Sequence, residues 1–270
     1  MSLQRAPGAA RQAGLAEDAQ RRYMLRTRGL SKEFNGFLAV SGLDLTIERN
    51  SVHALIGPNG AGKTTVFNLL TKFIAPTSGV IEFDGEDITA MSPAQVARLG
   101  LVRSFQISAI FPSMTVLGNL HTALQRKRGI ADQFWLSSKV LRRLDDEAMS
   151  LVERVGLAEY ARVRAGELPY GRKRALELAT TIALDPSMLL LDEPMAGMGR
   201  EDIQVISELI RETARHRTVL LVEHNLSVVE TLSDHVTVLQ RGEILSQGTY
   251  EQVSTDPLVK EAYIGRGDHG

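Results

Sequence analysis

Nine consecutive residues, Gly57-Pro58-Asn59-Gly60-Ala61-Gly62-Lys63-Thr64-Thr65, carry the densest chemical signal in this chain. Glycines at this spacing let successive backbone N–H groups turn inward around an anion, and a helix starting behind them adds the positive end of its dipole. In such a loop Lys63 pairs with the β- and γ-phosphates of a nucleotide, while the Thr64 hydroxyl reaches a magnesium ion. A second signal is the apolar run Met188-Leu189-Leu190-Leu191 closed by Asp192-Glu193. A buried strand ending this way sets two carboxylates at the carboxyl edge of a parallel sheet, where such folds take ligands. Asp192 suits the magnesium shell, directly or through water, and Glu193 suits a base that orients or deprotonates an attacking water. The third is "ELPYGRKRALELA", residues 167–179, a glycine-bearing loop before a helix-forming stretch. It has Pro169 and Tyr170 where a phosphate loop would prefer a hydroxyl and a second glycine.

The elements that must position these residues alternate. "LDLTIE" (43–48), "VHALIG" (52–57), "GVIEFDG" (79–85) and "LVRSFQ" (101–106) read as strands. "GKTTVFNLLTKFI" (62–74) and "SPAQVARLG" (92–100) read as helices, the latter with Ser as N-cap and Pro at the first helical position. Residues 115–165 contain long helical patterns without a strand and form a helical insertion. The alternation then resumes with a helix over 172–184, strand 188–193, helix 201–216 and strand 218–224. A hairpin over 235–248, turning at Arg241-Gly242, closes the series. Continuous apolar strands between helices predict an α/β fold whose parallel sheet is covered on both faces.

The bulk composition agrees. A chain of 270 residues buries roughly three quarters of its unfolded surface. Its net charge of −1 lacks the basic footprint of a nucleic-acid partner. With no cysteine it has neither disulfides nor thiolate metal sites. No apolar run approaches the roughly 18 residues of a membrane span. The first 23 residues, rich in Ala and Arg, read as a flexible leader rather than a secretory signal.

With 57–65, 167–172 and 188–193 in this order, the chain resembles the nucleotide-binding ATPase subunits of ATP-binding cassette (ABC) transporters. The resemblance implies an ABC ATPase fold: a P-loop NTPase core (24–106 and 181–265), an N-terminal antiparallel β part, a helical subdomain (107–180) carrying a signature loop, and a tail (266–270). It implies ATP and Mg²⁺ as ligands. Gln106 matches the Q-loop glutamine, a magnesium ligand, and His224 the switch histidine at the γ-phosphate. Phe34 stands where an aromatic stacks on adenine. Leu168, Pro169, Tyr170, Gly171 and Arg172 stand at the signature, usually Leu-Ser-Gly-Gly-Gln, which completes the site of a second ATPase subunit, identical or different. The resemblance also implies integral membrane permease subunits docking around Gln106–Met114, a solute-binding protein acting through them, and a peripheral place on the cytoplasmic membrane face.

Within the family, "LPYG", "DEPMAGM", "LLVEHNLSVV" and "DPLVKEAYIG" resemble the branch that imports branched-chain amino acids and related amides. Lipopolysaccharide-exporting ATPases share the ending. Two departures stand out. Pro169 removes a hydroxyl and an N–H, a charge-assisted bond worth about 1.5–3 kcal/mol. Gly199 stands where the family places an acidic or amide residue, for which Glu201 or Asp202 is a candidate substitute. They keep open a weakened partner subunit as the alternative to a working ATPase. A soluble ABC-type ATPase acting on nucleic acid or the ribosome fits less well, with one P-loop and no cysteine.

Overall fold

The structure, a computed structural model, describes residues 22–104, 110–130 and 138–264. The leader up to residue 21, Gln106 and the tail therefore lie outside the described residues.

Two sheets share the fold. The first is antiparallel and built on β1 (Tyr23–Phe34), which pairs with β2 (Phe37–Leu43), β3 (Thr46–Glu48) and β5 (Ser78–Phe83), with β6 (Glu86–Asp87) beyond β5. Asn35 and Gly36, both at positive φ, make the two-residue turn that joins β1 to β2, as a tight hairpin twist requires. The expected single strand over 43–48 is instead a corner. Thr27 Oγ1 donates to Leu43 O at 2.7 Å and accepts from Leu45 N at 2.9 Å, so the chain bends there and β3 begins only at Thr46.

The second sheet holds the site. It runs β11 (Glu243–Gly248), β10 (His235–Gln240), β4 (Val52–Ile56), β9 (Thr218–Val222), β8 (Met188–Asp192), β7 (Leu101–Arg103). All neighbours are parallel except the β10–β11 hairpin. Alternation sends Leu189, Leu191, Val219 and Leu221 into one core and Met188, Leu190, Leu220 and Val222 into another, so the sheet is covered on both faces as expected.

Among the described residues the α-helices are α1 (Lys63–Leu70), α2 (Pro93–Arg98), α3 (Val116–Lys127), α4 (Ser138–Arg154), α5 (Tyr170–Ala183), α6 (Arg200–Ala214), α7 (Leu226–Leu232), α8 (Tyr250–Thr255) and α9 (Pro257–Ile264). Helix α1 stops short of residue 74, because Thr71 bonds back to Phe67 O and Lys72 turns to a φ of 63°. Ser92 caps α2 in a capping box with Gln95, as its sequence predicts. Helices α3, α4 and α5 pack on one another around Leu120, Leu124, Leu144, Val152 and Leu176, which forms the helical layer.

Candidate functional site

The order β4-β9-β8-β7 brings the carboxyl ends of four parallel strands side by side, and each end bears one of the sequence signals. Gly57 follows β4, Glu223 and His224 follow β9, Asp192 ends β8 with Glu193 behind it, and the segment leading to Gln106 follows β7.

The loop Gly57–Gly62 is closed by backbone. Ala61 N donates to Pro58 O at 3.1 Å, and Gly242 N to Ala61 O at 2.9 Å. A Cβ on Gly57 (φ 149°) would lie 2.2 Å from Leu239 O, and one on Gly62 (φ 104°) 2.8 Å from Ala39 O. Only glycine fits at both places. Gly62 N-caps α1 and no side chain bonds that end, so the dipole and N–H groups of Lys63, Thr64 and Thr65 face the loop. Lys63 Nζ lies inside the curve, donating to Gly57 O at 2.6 Å and Pro58 O at 3.1 Å. Asn59 and Gly60 are exposed on the rim.

The carboxylates stand at the end of β8, with β9 between that strand and β4. Asp192 Oδ2 accepts from Arg103 Nη2 at 2.6 Å. Glu193 sits at a φ of 46° with its side chain half-exposed, and its N–H still bonds Val222 O at 2.9 Å. A non-glycine residue in that region is strained and is characteristic of functional loops. His224 Nδ1 lies 3.8 Å from Glu193 Oε1, so the two are neighbours on the same rim. The glycine cradle, the ammonium within it, the exposed Thr64 hydroxyl and the Asp192 carboxylate form a donor set of hard oxygens beside an anion nest. That set fits a nucleotide phosphate with Mg²⁺.

Two residues beside this rim, Glu223 and Arg103, are ones that the sequence motifs do not single out. Glu223 is 2% exposed. Its Oε1 accepts from Met195 N at 3.2 Å and its Oε2 from His224 N at 3.2 Å and Asn225 N at 3.5 Å. One carboxylate thus braces the loop after Glu193 and the loop of His224. Burial raises its pKa above the ordinary carboxylate range, against the lowering by those three N–H groups and the charge of His224. The available signal for both residues was a charge adjoining an otherwise apolar strand.

Phe34 ends β1 directly opposite Phe37, half-exposed, with Lys32 Nζ 5.0 Å from its ring centre. The signature residues lie elsewhere, at the start of α5. Pro169 is the N-cap with no side-chain bond, and Lys173 N donates to Pro169 O. Leu168 is buried and anchors the turn, while Tyr170 stands exposed. The Tyr170 ring lies over Gly197 in the loop after Glu193, 2.9 Å from where a Cβ would be, and its hydroxyl accepts from Arg174 Nε at 3.1 Å. The Arg172 side chain turns back on its own chain. It bridges Asp202 Oδ1 at 3.2 Å and Gly156 O at 3.3 Å, and Asp202 Oδ2 also lies against Gly171. Asp202 is therefore committed to its own chain rather than free to stand in for Gly199. Gly199 itself N-caps α6, with open space around it. Among these contacts the signature residues meet the helical layer and the start of α6, not the P-loop.

Residues 40–196 match the family model described as ABC transporter. The chain is 41% identical over 253 residues to the high-affinity branched-chain amino acid transport ATP-binding protein BraF of Pseudomonas aeruginosa, covering 90% of this chain and 98% of that one. It is 40% identical over 250 residues to LivG of Escherichia coli, with the same coverage. Among solved structures it is similar to an ATP-binding cassette of an ABC transporter in its ADP conformation (TM-score 0.76, 30% identity, 90% and 99% of the two chains). A nucleotide-free cassette has the same TM-score at 29% identity and covers 90% and 100%. With a strand-edge site built for a nucleoside triphosphate and relatives along nearly its whole length, this chain belongs to the ABC transporter family as an ATP-hydrolysing, ATP-binding subunit.

Proposed function

We propose that the chain hydrolyses ATP to drive import of branched-chain amino acids or closely related amino acids and amides. The observation that carries this reading is the 40–41% identity, over 90% of the chain, to BraF and LivG. In this reading two ATPase subunits, identical or different, close around two nucleotides at the cytoplasmic membrane face. Lys63 and the Gly57–Thr65 loop hold the phosphates, and Phe34 stacks on adenine. Mg²⁺ held by Thr64, Asp192 and Gln106 supplies charge stabilisation of the transferring phosphoryl group. Glu193 takes a proton from the water whose oxygen bonds the γ-phosphorus as the bond to the β–γ bridging oxygen breaks. His224, beside it, donates to the γ-phosphate. The N–H groups at the start of α5, from Tyr170 to Arg172, reach the partner's γ-phosphate in place of the missing serine hydroxyl.

The permease subunits, fed by a solute-binding protein, dock in a groove of about 690 Å³ between the sheet and the helical layer. Phe73, Ala97, Val102, Phe111, Ala123 and Leu184 make it apolar, and Phe73 and Phe111 are exposed there.

Steady-state ATPase against protein concentration, with Glu193→Gln as blank, tests the enzyme. Activity should rise faster than linearly and fall about 10²–10⁴-fold in the variant while ATP binding persists. ATP binding without hydrolysis above the blank, even with permease and a partner cassette present, would make the chain a nucleotide-holding partner subunit. Uptake of labelled leucine into vesicles holding the assembled transporter, competed by isoleucine and valine, tests the solute. Competition by simple amides alone would move the assignment to them.

A further inference from the structure

Arg103 is a charge where the fold has little use for one. It ends β7, pairs in register with Leu190, and its side chain is 3% exposed. Burying a guanidinium is unfavourable unless its hydrogen bonds are met. Here one arm, Nη2, donates to Asp192 Oδ2 at 2.6 Å, and the other, Nη1, to Asn68 Oδ1 of α1 at 2.7 Å. The guanidinium lies over the Phe67 ring with 5.3 Å between carbon and centroid, while its Nε has no partner. Three elements of the site, α1, β7 and β8, thus meet at one cation.

We propose that Arg103 is a positioning residue for Asp192 that also loosens this carboxylate's hold on Mg²⁺. The first effect is geometric. A bond from a buried, two-armed guanidinium restrains the carboxylate through Oδ2, so that Oδ1 is the oxygen left for a metal. The second is electrostatic. A fixed positive charge in contact with Oδ2 repels a dication approaching the same carboxylate, in surroundings that screen poorly. The carboxylate is placed well and binds less tightly, which favours release of Mg²⁺ with the product.

This inference rests on Asp192 as a magnesium carboxylate, and the test separates the two. The full chain is bound to a non-hydrolysable ATP analogue, and its thermal shift is followed against Mg²⁺ from an EDTA baseline. ATPase is titrated with Mg²⁺ in parallel. Arg103→Met, which keeps the apolar stem and removes the charge, should lower the half-saturating Mg²⁺ about tenfold in both readouts and reduce kcat. Arg103→Lys, which keeps the charge, should stay within about twofold of the parent. In an Asp192→Asn background the Met substitution should no longer move the Mg²⁺ midpoint. If Arg103→Met folds poorly, Arg103→Gln, able to keep the bond to Asn68, takes its place. A lower melting temperature with an unmoved or raised Mg²⁺ midpoint would leave Arg103 a packing residue only and overturn the inference. An unchanged midpoint in Asp192→Asn alone would overturn the assignment of Asp192 and this inference with it.

Discussion

The loop before α1 and the turn before α5 both lead into helices whose first turns carry no side-chain cap, yet they constrain sequence in opposite ways. Around Gly57 and Gly62 the space is taken by main-chain oxygens of Leu239 and Ala39. Backbone belonging to other strands cannot yield, so no change of neighbour makes room for a side chain. Around Gly171 and Gly197 the space is taken by side chains, the Asp202 carboxylate and the Tyr170 ring. Those can be exchanged in concert. Tyr170 stands where the family usually has glycine, and Gly197 lies beneath its ring. Arg172 stands where it usually has glutamine, and Asp202 meets it. The tyrosine and arginine of this signature are thus half of a set whose other half lies some thirty residues on.

Substitutions can break or sharpen this contrast. The largest effect is expected from Gly57→Ala, whose Cβ meets an immovable oxygen. It should cost more than about 3 kcal/mol and abolish ATP binding, measured by denaturation and nucleotide titration. Retained binding would mean that the loop is softer than its packing. Next is the far end of the same strand. His53 of β4 is 4% exposed, its Nε2 is paired with Thr237 Oγ1 at 2.7 Å, and burial, with His235 alongside, holds its pKa down to about 3. The folded ring stays neutral while the unfolded one protonates below about pH 6.5, so stability is lost as pH falls from there toward 3. Between pH 7 and 5 this amounts to about 2 kcal/mol. His53→Gln should flatten that part of the pH–stability curve, read by chemical denaturation at both pH values.

Smaller changes belong to the signature side. Gly197→Ala should cost about 1–2 kcal/mol, partly from its φ of 73° and partly from the ring above it. Adding Tyr170→Ala should return the steric share and leave the backbone share. Equal cost in single and double variants would show that the ring simply moves aside. The smallest change is Gly199→Asp, into open space at an N-cap, which should stabilise by a few tenths of a kcal/mol. If Gly199 faces the second subunit of the proposed dimer and lacks only a side chain there, the variant should also steepen the dependence of ATPase rate on ATP.

Much of this was legible in the residues themselves. Strands β4, β8 and β9 and the final hairpin are short, apolar and bounded by turns, so they stand within a residue or two of where the sequence reading puts them. β1 was harder to read. Its twelve residues change partner and register along their length, so burial follows no alternation that periodicity would reveal. The P-loop and the carboxylate pair were legible because their chemistry is local. Arg103, 89 positions from Asp192, and Glu223, 28 from Met195, were not. Each looks like a stray charge until folding supplies its partner. For the same reason sequence shows Arg172 as a signature residue but not the bridge of its side chain to Asp202.

Glu223 gives this cassette fewer moving parts than its loops suggest. Because one carboxylate receives N–H groups from Met195 on one side and from His224 and Asn225 on the other, neither loop can drift without dragging its neighbour or stranding a buried charge. The loop behind Glu193 and the loop of His224 therefore share a single latch, and in the proposed mechanism whatever opens one opens both.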